Sequence, residues 1–136
     1  MKTLLKLEEA AQFLACLALL VMCDVQWWIY LLLLLGPDIG MLGYLVNTRV
    51  GAVTYNLFHH KGIAILILVF SIPSLAEVVT LWSKDMGSLH ATPPFLIGLI
   101  LFGHASMDRM FGYGLKFGDH FQHTHLGWIG KGKSGE

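Results

Sequence analysis

Charged side chains are scarce in this chain: Asp, Glu, Lys and Arg make up 13% of its 136 residues, where soluble domains carry about 25%. That is too few to coat a water-facing surface of this size, and it argues against an ordinary soluble domain. Net charge is zero with His neutral, so the basic footprint of a nucleic-acid partner is missing. There is no P-loop glycine pattern and no Gly-x-Ser-x-Gly elbow, which removes support for nucleotide-binding and serine-hydrolase readings. Cysteine is limited to Cys16 and Cys23. On one helix they lie about 10 Å apart along the axis, too far for a disulfide between them. They read as thiols in the core or facing lipid.

A secretory signal is also lacking. Lys2 and Lys6 ahead of an apolar run imitate one, but Glu8 and Glu9 interrupt the basic-to-apolar transition and no small-x-small cleavage site follows. Met22 before Cys23 spoils a lipoprotein-type signal. The segment is expected to be a mature transmembrane helix.

What is abundant is apolar length. A bilayer core needs about 20 mostly apolar residues per helix. Four stretches approach this: residues 7–23, 27–46, 62–82 and 92–114. The expectation is an all-α polytopic membrane helix bundle of about four transmembrane helices, forming one integral membrane domain over residues 1–136 with a cytoplasmic tail at 117–136. Gly36-Pro37-Asp38 breaks the second stretch, and Pro73 predicts a kink in the third. Pro93 and Pro94 suit the first turn of the fourth. Trp27, Trp28, Tyr30 and Trp82 fall where an aromatic belt would place them. The apolar run Val50 to Phe58 fits a re-entrant half-helix around residues 50–60.

With four crossings and a cytoplasmic N-terminus, the inside holds Lys2, Lys6, Arg49, Lys61, Arg109, Lys116, Lys131 and Lys133, and the outside only Lys84. This positive-inside bias predicts a multi-pass cell-membrane protein with both termini cytoplasmic.

Against this background the ionisable residues stand out, because an intramembrane Asp costs at least about 2.5 kcal/mol on insertion scales. Asp38 lies inside the second stretch, flanked by Gly36 and Gly40. It reads either as a ligand or as an incidental carboxylate in a helix-packing motif. His104 and Asp108 are four residues apart and share a helix face. They can serve one metal ion or one proton, or simply satisfy each other. Tyr55 aligns with His59, and Asn56 with His60; each histidine is a site residue or an interfacial one. Glu77 sits near the outer end of the third stretch, where it can reach the interface. In the tail, Asp119, His120, His123 and His125 match no zinc spacing, and His125 within Thr124-His125-Leu126-Gly127 is the one to watch.

Asp38, His104 and Asp108 all count to the cytoplasmic half of their segments, and His59, His60 and His125 to its edge. One shared site explains this economically. Asp38, His59, His104, Asp108 and His125 are the candidate metal ligands, with Asp38, His104 and Asp108 the candidate catalytic residues. Mixed oxygen and imidazole donors suit Zn, Mn or Fe. Tyr55, Asn56, Arg109 and Lys116 are candidates for holding an anionic substrate group.

Several short motifs carry a resemblance. They are Pro37-Asp38-Ile39-Gly40, Gly43-Tyr44-Leu45, Val50-Gly51-Ala52, Tyr55-Asn56 with His59, and His104 with Met107-Asp108-Arg109. Gly112-Tyr113-Gly114-Leu115-Lys116 and Thr124-His125-Leu126-Gly127 complete the set. Over roughly Trp27 to Gly130 the chain resembles a family of small bacterial integral membrane proteins known only as a domain of unknown function. The resemblance implies a bacterial inner-membrane location and a shared fold, and no activity. A weaker likeness is to a membrane-associated, metal-dependent hydrolase family with a Pro-Asp motif; Gly40 stands where that family has a second aspartate.

Three functions compete. One is a metal-assisted hydrolase of a lipid or other amphipathic substrate. Another is a small transporter or proton-coupled carrier, which in so short a chain needs a homo-oligomer. The third is a non-catalytic membrane protein in which the polar residues act as glue between helices.

Overall fold

The computed structural model describes residues 1–71 and 91–130. These residues are mostly helical: α1 (Lys2–Met22), α2 (Trp27–Leu35), a 3-10 helix (Gly36–Leu45), α3 (Thr48–His59), α4 (Lys61–Ser71) and α5 (Pro93–Phe111). Two short strands, β1 (His123–Thr124) and β2 (Gly127–Trp128), pair antiparallel in the C-terminal segment. The expected kink at Pro73, the interfacial roles of Glu77 and Trp82, and the positions of Lys84, Lys131 and Lys133 lie outside the described residues.

Local chemistry sets the helix ends. The Asn47 side chain accepts the Val50 amide and starts α3, and Thr92 does the same for Phe95 in α5, ahead of Pro93 and Pro94. Gly112, at φ +96°, closes α5 in the left-handed conformation that glycine tolerates.

The second apolar stretch is continuous but changes pitch. Gly36-Pro37 converts the α-helix into a 3-10 helix of 10 residues, far longer than the three or four typical of that geometry. At three residues per turn, Pro37, Gly40 and Gly43 share one face. That face receives α3 at close range. A Cβ on Gly40 would lie 2.8 Å from the Thr54 carbonyl oxygen, and one on Gly43 2.1 Å from Thr54 Oγ1. Reciprocally, a Cβ on Gly51 of α3 would meet the Tyr44 ring at 2.2 Å. Thr54 Oγ1 also donates to the Gly40 carbonyl at 2.6 Å.

A small core joins α1, α2 and α5 through Cys16, Leu20, Ile29, Leu33, Leu99 and Ile100. Cys16 is buried and Cys23 half-buried, both as free thiols. Outside this core, large apolar side chains face outward on every helix among the described residues, including Leu14, Leu31, Leu42, Leu57, Leu66 and Ile97, with Leu45 and Phe70 both 85% exposed.

By length and composition, the run Trp27–Leu45 is the one helix among the described residues able to cross a membrane alone. α3 and α4 qualify together if their 41° bend at His60 is a break within one span. α1 and α5 have comparable length, but α1 carries Lys2, Lys6, Glu8 and Glu9, and α5 carries His104, Asp108 and Arg109.

The segment after α5 folds back rather than trailing away. His125 N–H donates to the Leu115 carbonyl and Phe117 N–H to His123, both within hydrogen-bond distance, and Lys116 bridges to Thr124.

Candidate metal centre

Three elements deliver four side chains to one point. Asp38 comes from the first turn of the 3-10 helix, His59 from the last residue of α3, and His104 and Asp108 from one face of α5. One ligand atom from each lies within 4.8 Å of all the others. His59 Nε2 is 3.5 Å from Asp38 Oδ1 and 3.3 Å from Asp108 Oδ2. His104 Nε2 is 3.4 Å from Asp38 Oδ1 and 3.9 Å from Asp108 Oδ1. Donors about 2.0–2.1 Å from a tetrahedral ion lie about 3.3–3.4 Å from one another. Three of these four distances are close to that edge.

The protonation of the rings follows from their other nitrogens. His59 Nδ1 is 2.8 Å from the Tyr55 carbonyl oxygen, and His104 Nδ1 is 2.9 Å from that of Leu33. A carbonyl only accepts, so each Nδ1 carries the hydrogen and donates it. The Leu33 carbonyl is free to accept because its helical partner four residues on would be Pro37, which has no N–H. The proline therefore creates the acceptor that orients His104. In a neutral ring, Nε2 is then a bare lone pair. Both Nε2 atoms are buried and lack any hydrogen-bond partner, an expensive condition.

Two lone pairs and two carboxylates thus converge, with neither Nε2 receiving a hydrogen bond. A divalent cation satisfies all four and neutralises both carboxylates, and backbone carbonyls on the far ring nitrogens are the usual outer support of metal-bound histidines. The donor set fits Zn, Mn or Fe. A proton on either ring, making an imidazolium against the carboxylates, is the competing way to fill the centre.

The surroundings stiffen this arrangement. The Tyr55 hydroxyl donates to Asp108 Oδ2 at 2.6 Å. Its ring stacks on His59 with centroids 3.7 Å apart and planes 13° from parallel. His104 meets the edge of His59 at 4.9 Å. Behind Tyr55, Lys116 is buried, donates to the Phe121 carbonyl at 3.0 Å and places Nζ 5.1 Å from the Tyr55 ring centre. Burial pulls its ammonium below the ordinary lysine range, while the charges of Asp108 and Asp38 pull it back up. Asp38 keeps 37% of its side chain exposed against 15% for Asp108, so the centre opens beside Asp38.

The other residues singled out from the sequence are placed elsewhere. His125 is outside the group of four; its Nδ1 accepts the Leu115 amide at 2.8 Å. Asn56 clasps Lys116, donating to its carbonyl at 2.9 Å and accepting its amide at 2.7 Å. His60 is exposed and extended, so α3 ends before Asn56 and His60 can align. Arg109 points away from Asp108 and sits 3.8 Å from Glu9 Oε1. Asp119 pairs with His123 at 2.7 Å in the tail, and that hydrogen bond holds its carboxyl below the usual range.

Glu9 is the partner that the sequence reading missed. On α1 it pairs with both Lys61 and Arg109, and Gln12 accepts from Lys61 at 2.5 Å. The available signal was helical: Glu9 and Gln12 lie three residues apart on one face of α1.

No curated protein and no solved structure is a match for the chain. A family model described as Domain of unknown function (DUF4260) matches residues 2–129, nearly the whole chain, which therefore belongs to that family.

Proposed function

We propose that this is a multi-pass membrane protein in which Asp38, His59, His104 and Asp108 hold a divalent metal ion, serving hydrolysis of an amphipathic substrate. The apolar side chains facing outward on every helix support the membrane part, because soluble monomers rarely expose contiguous apolar patches beyond a few hundred Å². The bias of basic residues supports two cytoplasmic termini.

One observation carries the metal reading: two buried, partnerless Nε2 atoms aimed at two carboxylates, with both Nδ1 hydrogens already committed to backbone carbonyls. A metal ion held by these four residues would supply a water of lowered pKa. The chain's own residues do the rest. Tyr55 fixes Asp108, the Leu33 carbonyl fixes His104, and the exposed flank of Asp38 leaves an approach for substrate.

The test is elemental analysis of protein purified in mild detergent, with His104→Ala as its control. About one zinc, manganese or iron per chain, lost in the variant, is expected for such a donor set. Metal-free protein, unaltered by His104→Ala, sinks the proposal.

A carrier is the second reading. It is favoured by the pitch change at Gly36-Pro37, since interrupted helices are common at carrier sites. Proton flux in proteoliposomes that persists in Asp38→Asn counts against it.

A further inference from the structure

Two polar groups outside the four proposed ligands are buried with hydrogen-bonding capacity unspent. The Tyr44 hydroxyl, at the end of the 3-10 helix, is shut off from solvent and has no hydrogen-bond partner among the described residues. The Lys116 ammonium carries three hydrogens, and its one acceptor among the described residues is the Phe121 carbonyl at 3.0 Å. The Lys116 side chain is buried, yet no carboxylate among the described residues forms an ion pair with it. Asp108 and Asp38 act on it through space only. A buried charge without a contact partner and a buried hydroxyl without an acceptor are both costly.

The two groups are neighbours. Both lie against Phe121, whose ring centre is 4.2 Å from Lys116 Nζ and 5.0 Å, edge to face, from that of Tyr44. Both also lie against one stretch of α3. The Tyr44 ring covers Gly51, where a Cβ would meet it at 2.2 Å, and Lys116 Nζ is 5.1 Å from the ring centre of Tyr55, one turn further on. They make no hydrogen bond to each other. The ammonium is brought here deliberately, since the Asn56 side chain clasps both backbone groups of Lys116. Tyr55 is the wall shared with the metal centre, its hydroxyl on Asp108 and its ring against Lys116. Phe121, 42% exposed, is the outer cover.

An anion with several acceptor oxygens satisfies both groups at once. A divalent ion between Asp38 and Asp108 would offset their two charges and leave the Lys116 ammonium uncompensated, so the loaded centre favours one more negative group beside it. A phosphate presents oxygens in several directions, so two donors that do not touch each other can each take one, and lysine is a common phosphate partner as a point charge. We infer that Tyr44 Oη and Lys116 Nζ hold a phosphate group of the substrate, with Phe121 as its outer cover. The inference rests on the metal-hydrolase reading above for the fate of that group, and on Tyr44 and Lys116 alone for its seat.

Tyr44→Phe is the sharpest variant, because it deletes a hydroxyl that bonds to nothing among the described residues and keeps the ring against Gly51 and Phe121. Lys116→Met removes the ammonium and keeps the backbone groups that Asn56 clasps. Lys6→Met, which removes an exposed charge on α1, is the control. The full chain in maltoside detergent is titrated calorimetrically with inorganic phosphate, with dihexanoyl phosphatidic acid and with acetate. Tyr44→Phe and Lys116→Met should each weaken phosphate binding by about tenfold or more, the loss of one hydrogen bond to a charged group, while Lys6→Met leaves it unchanged and acetate binds more weakly. Without any probe, Tyr44→Phe should melt no lower than the unaltered chain. Tighter binding of phosphatidic acid identifies a lipid headgroup as the source, and tighter binding of inorganic phosphate a soluble one; both bear out the seat. No binding of either phosphate probe, acetate binding as tight as phosphate, an equal loss in Lys6→Met, or unchanged affinity in Tyr44→Phe overturns it. So does a lower melting temperature of probe-free Tyr44→Phe, which would reveal a partner already on the hydroxyl. Bound metal is measured on every sample. Metal-free protein whose phosphate binding still needs Tyr44 and Lys116 sinks the hydrolase reading and leaves the seat standing, and metal-loaded protein that binds phosphate without them does the reverse.

Discussion

The Tyr55 hydroxyl lies 2.6 Å from Asp108 Oδ2, while its ring covers His59 at 3.7 Å. One side chain on α3 thus steadies a carboxylate from α5 and the histidine one turn along its own helix. Outer partners of this kind typically change metal affinity by about 10- to 100-fold when removed. Tyr55→Phe keeps the stacked ring and deletes only the hydrogen bond. It should weaken metal binding within that range in a competition titration with a chromophoric chelator, while circular dichroism stays unchanged. Tyr55→Ala, which also uncovers His59, should weaken it further.

Metal removal should be felt as stability. Without the ion, two carboxylates and two bare Nε2 atoms face one another in a buried setting. A ligand at about 100 times its Kd stabilises the state it binds by about 2.7 kcal/mol. Chelator treatment should therefore lower the melting temperature of the detergent-solubilised protein, and readdition of zinc, manganese or iron should restore it. The same readdition to Asp38→Asn or His104→Ala should restore little. Equal thermal stability of stripped and loaded protein would count against the site.

The three glycines of the 3-10 helix should respond differently to alanine. At Gly43 the new Cβ would lie 2.1 Å from Thr54 Oγ1 and at Gly40 2.8 Å from the Thr54 carbonyl, whereas at Gly36 it meets Leu32 at 3.5 Å. Gly40→Ala and Gly43→Ala should each cost about 1–3 kcal/mol as overpacking, and Gly36→Ala should be close to neutral. Because the nearest obstacle to Gly43 is a side chain, Thr54→Ala should relieve part of the Gly43→Ala penalty. A thermal-melt double-mutant cycle reads this coupling directly.

Much of this centre was visible in the sequence because its signals are short-range or compositional. His104 and Asp108 share a face by spacing alone, Tyr55 over His59 follows the same rule, and Asp38 is conspicuous in an apolar run. A shared membrane level predicts that such residues meet, and one ligand atom from each of these four lies within 4.8 Å of the others. The missed features depend on contacts distant in the chain. Nothing local says that Asn56 will bind the backbone of Lys116 sixty residues later, or that Glu9 will reach Lys61 and Arg109. That Pro37 removes a backbone donor and frees a carbonyl is legible in the sequence; that His104 takes the Leu33 carbonyl needs the neighbouring helix to be in place. For the membrane, a run of apolar residues is legible, but the charges on α1 and α5 leave Trp27–Leu45 as the clear single candidate span among the described residues.

The tail hairpin should be acid-sensitive. The hydrogen bond from His123 holds the Asp119 carboxyl below its ordinary range. A carboxyl depressed in the folded state adds stability above its unfolded pKa of about 3.9, and that stability is lost as pH falls through the lower folded value. The protection of the Phe117 amide, which donates to the His123 carbonyl at 2.9 Å, measured against the intrinsic exchange rate at each pH, should therefore fall below the usual aspartate range. Asp119→Asn should exchange faster at neutral pH and lose the acid step. An acid step that survives in Asp119→Asn would assign it to another group.

Asn56 is expected to separate anchoring from metal binding. Its side chain satisfies both backbone groups of Lys116, at 2.9 and 2.7 Å, and so holds the fold-back segment against α3. Asn56→Ala leaves that amide and carbonyl unpaired, at roughly 1–3 kcal/mol for each buried group left unsatisfied. The segment from Leu115 to His125 should then become a site of limited proteolysis. Asn56→Asp keeps the acceptor for the Lys116 amide and loses the donor to its carbonyl, so its cleavage rate should fall between the two. None of the four proposed ligands is on that segment, and bound metal should survive in both variants. If Asn56→Ala releases metal as fully as His104→Ala does, the tail belongs to the centre and is more than its cover.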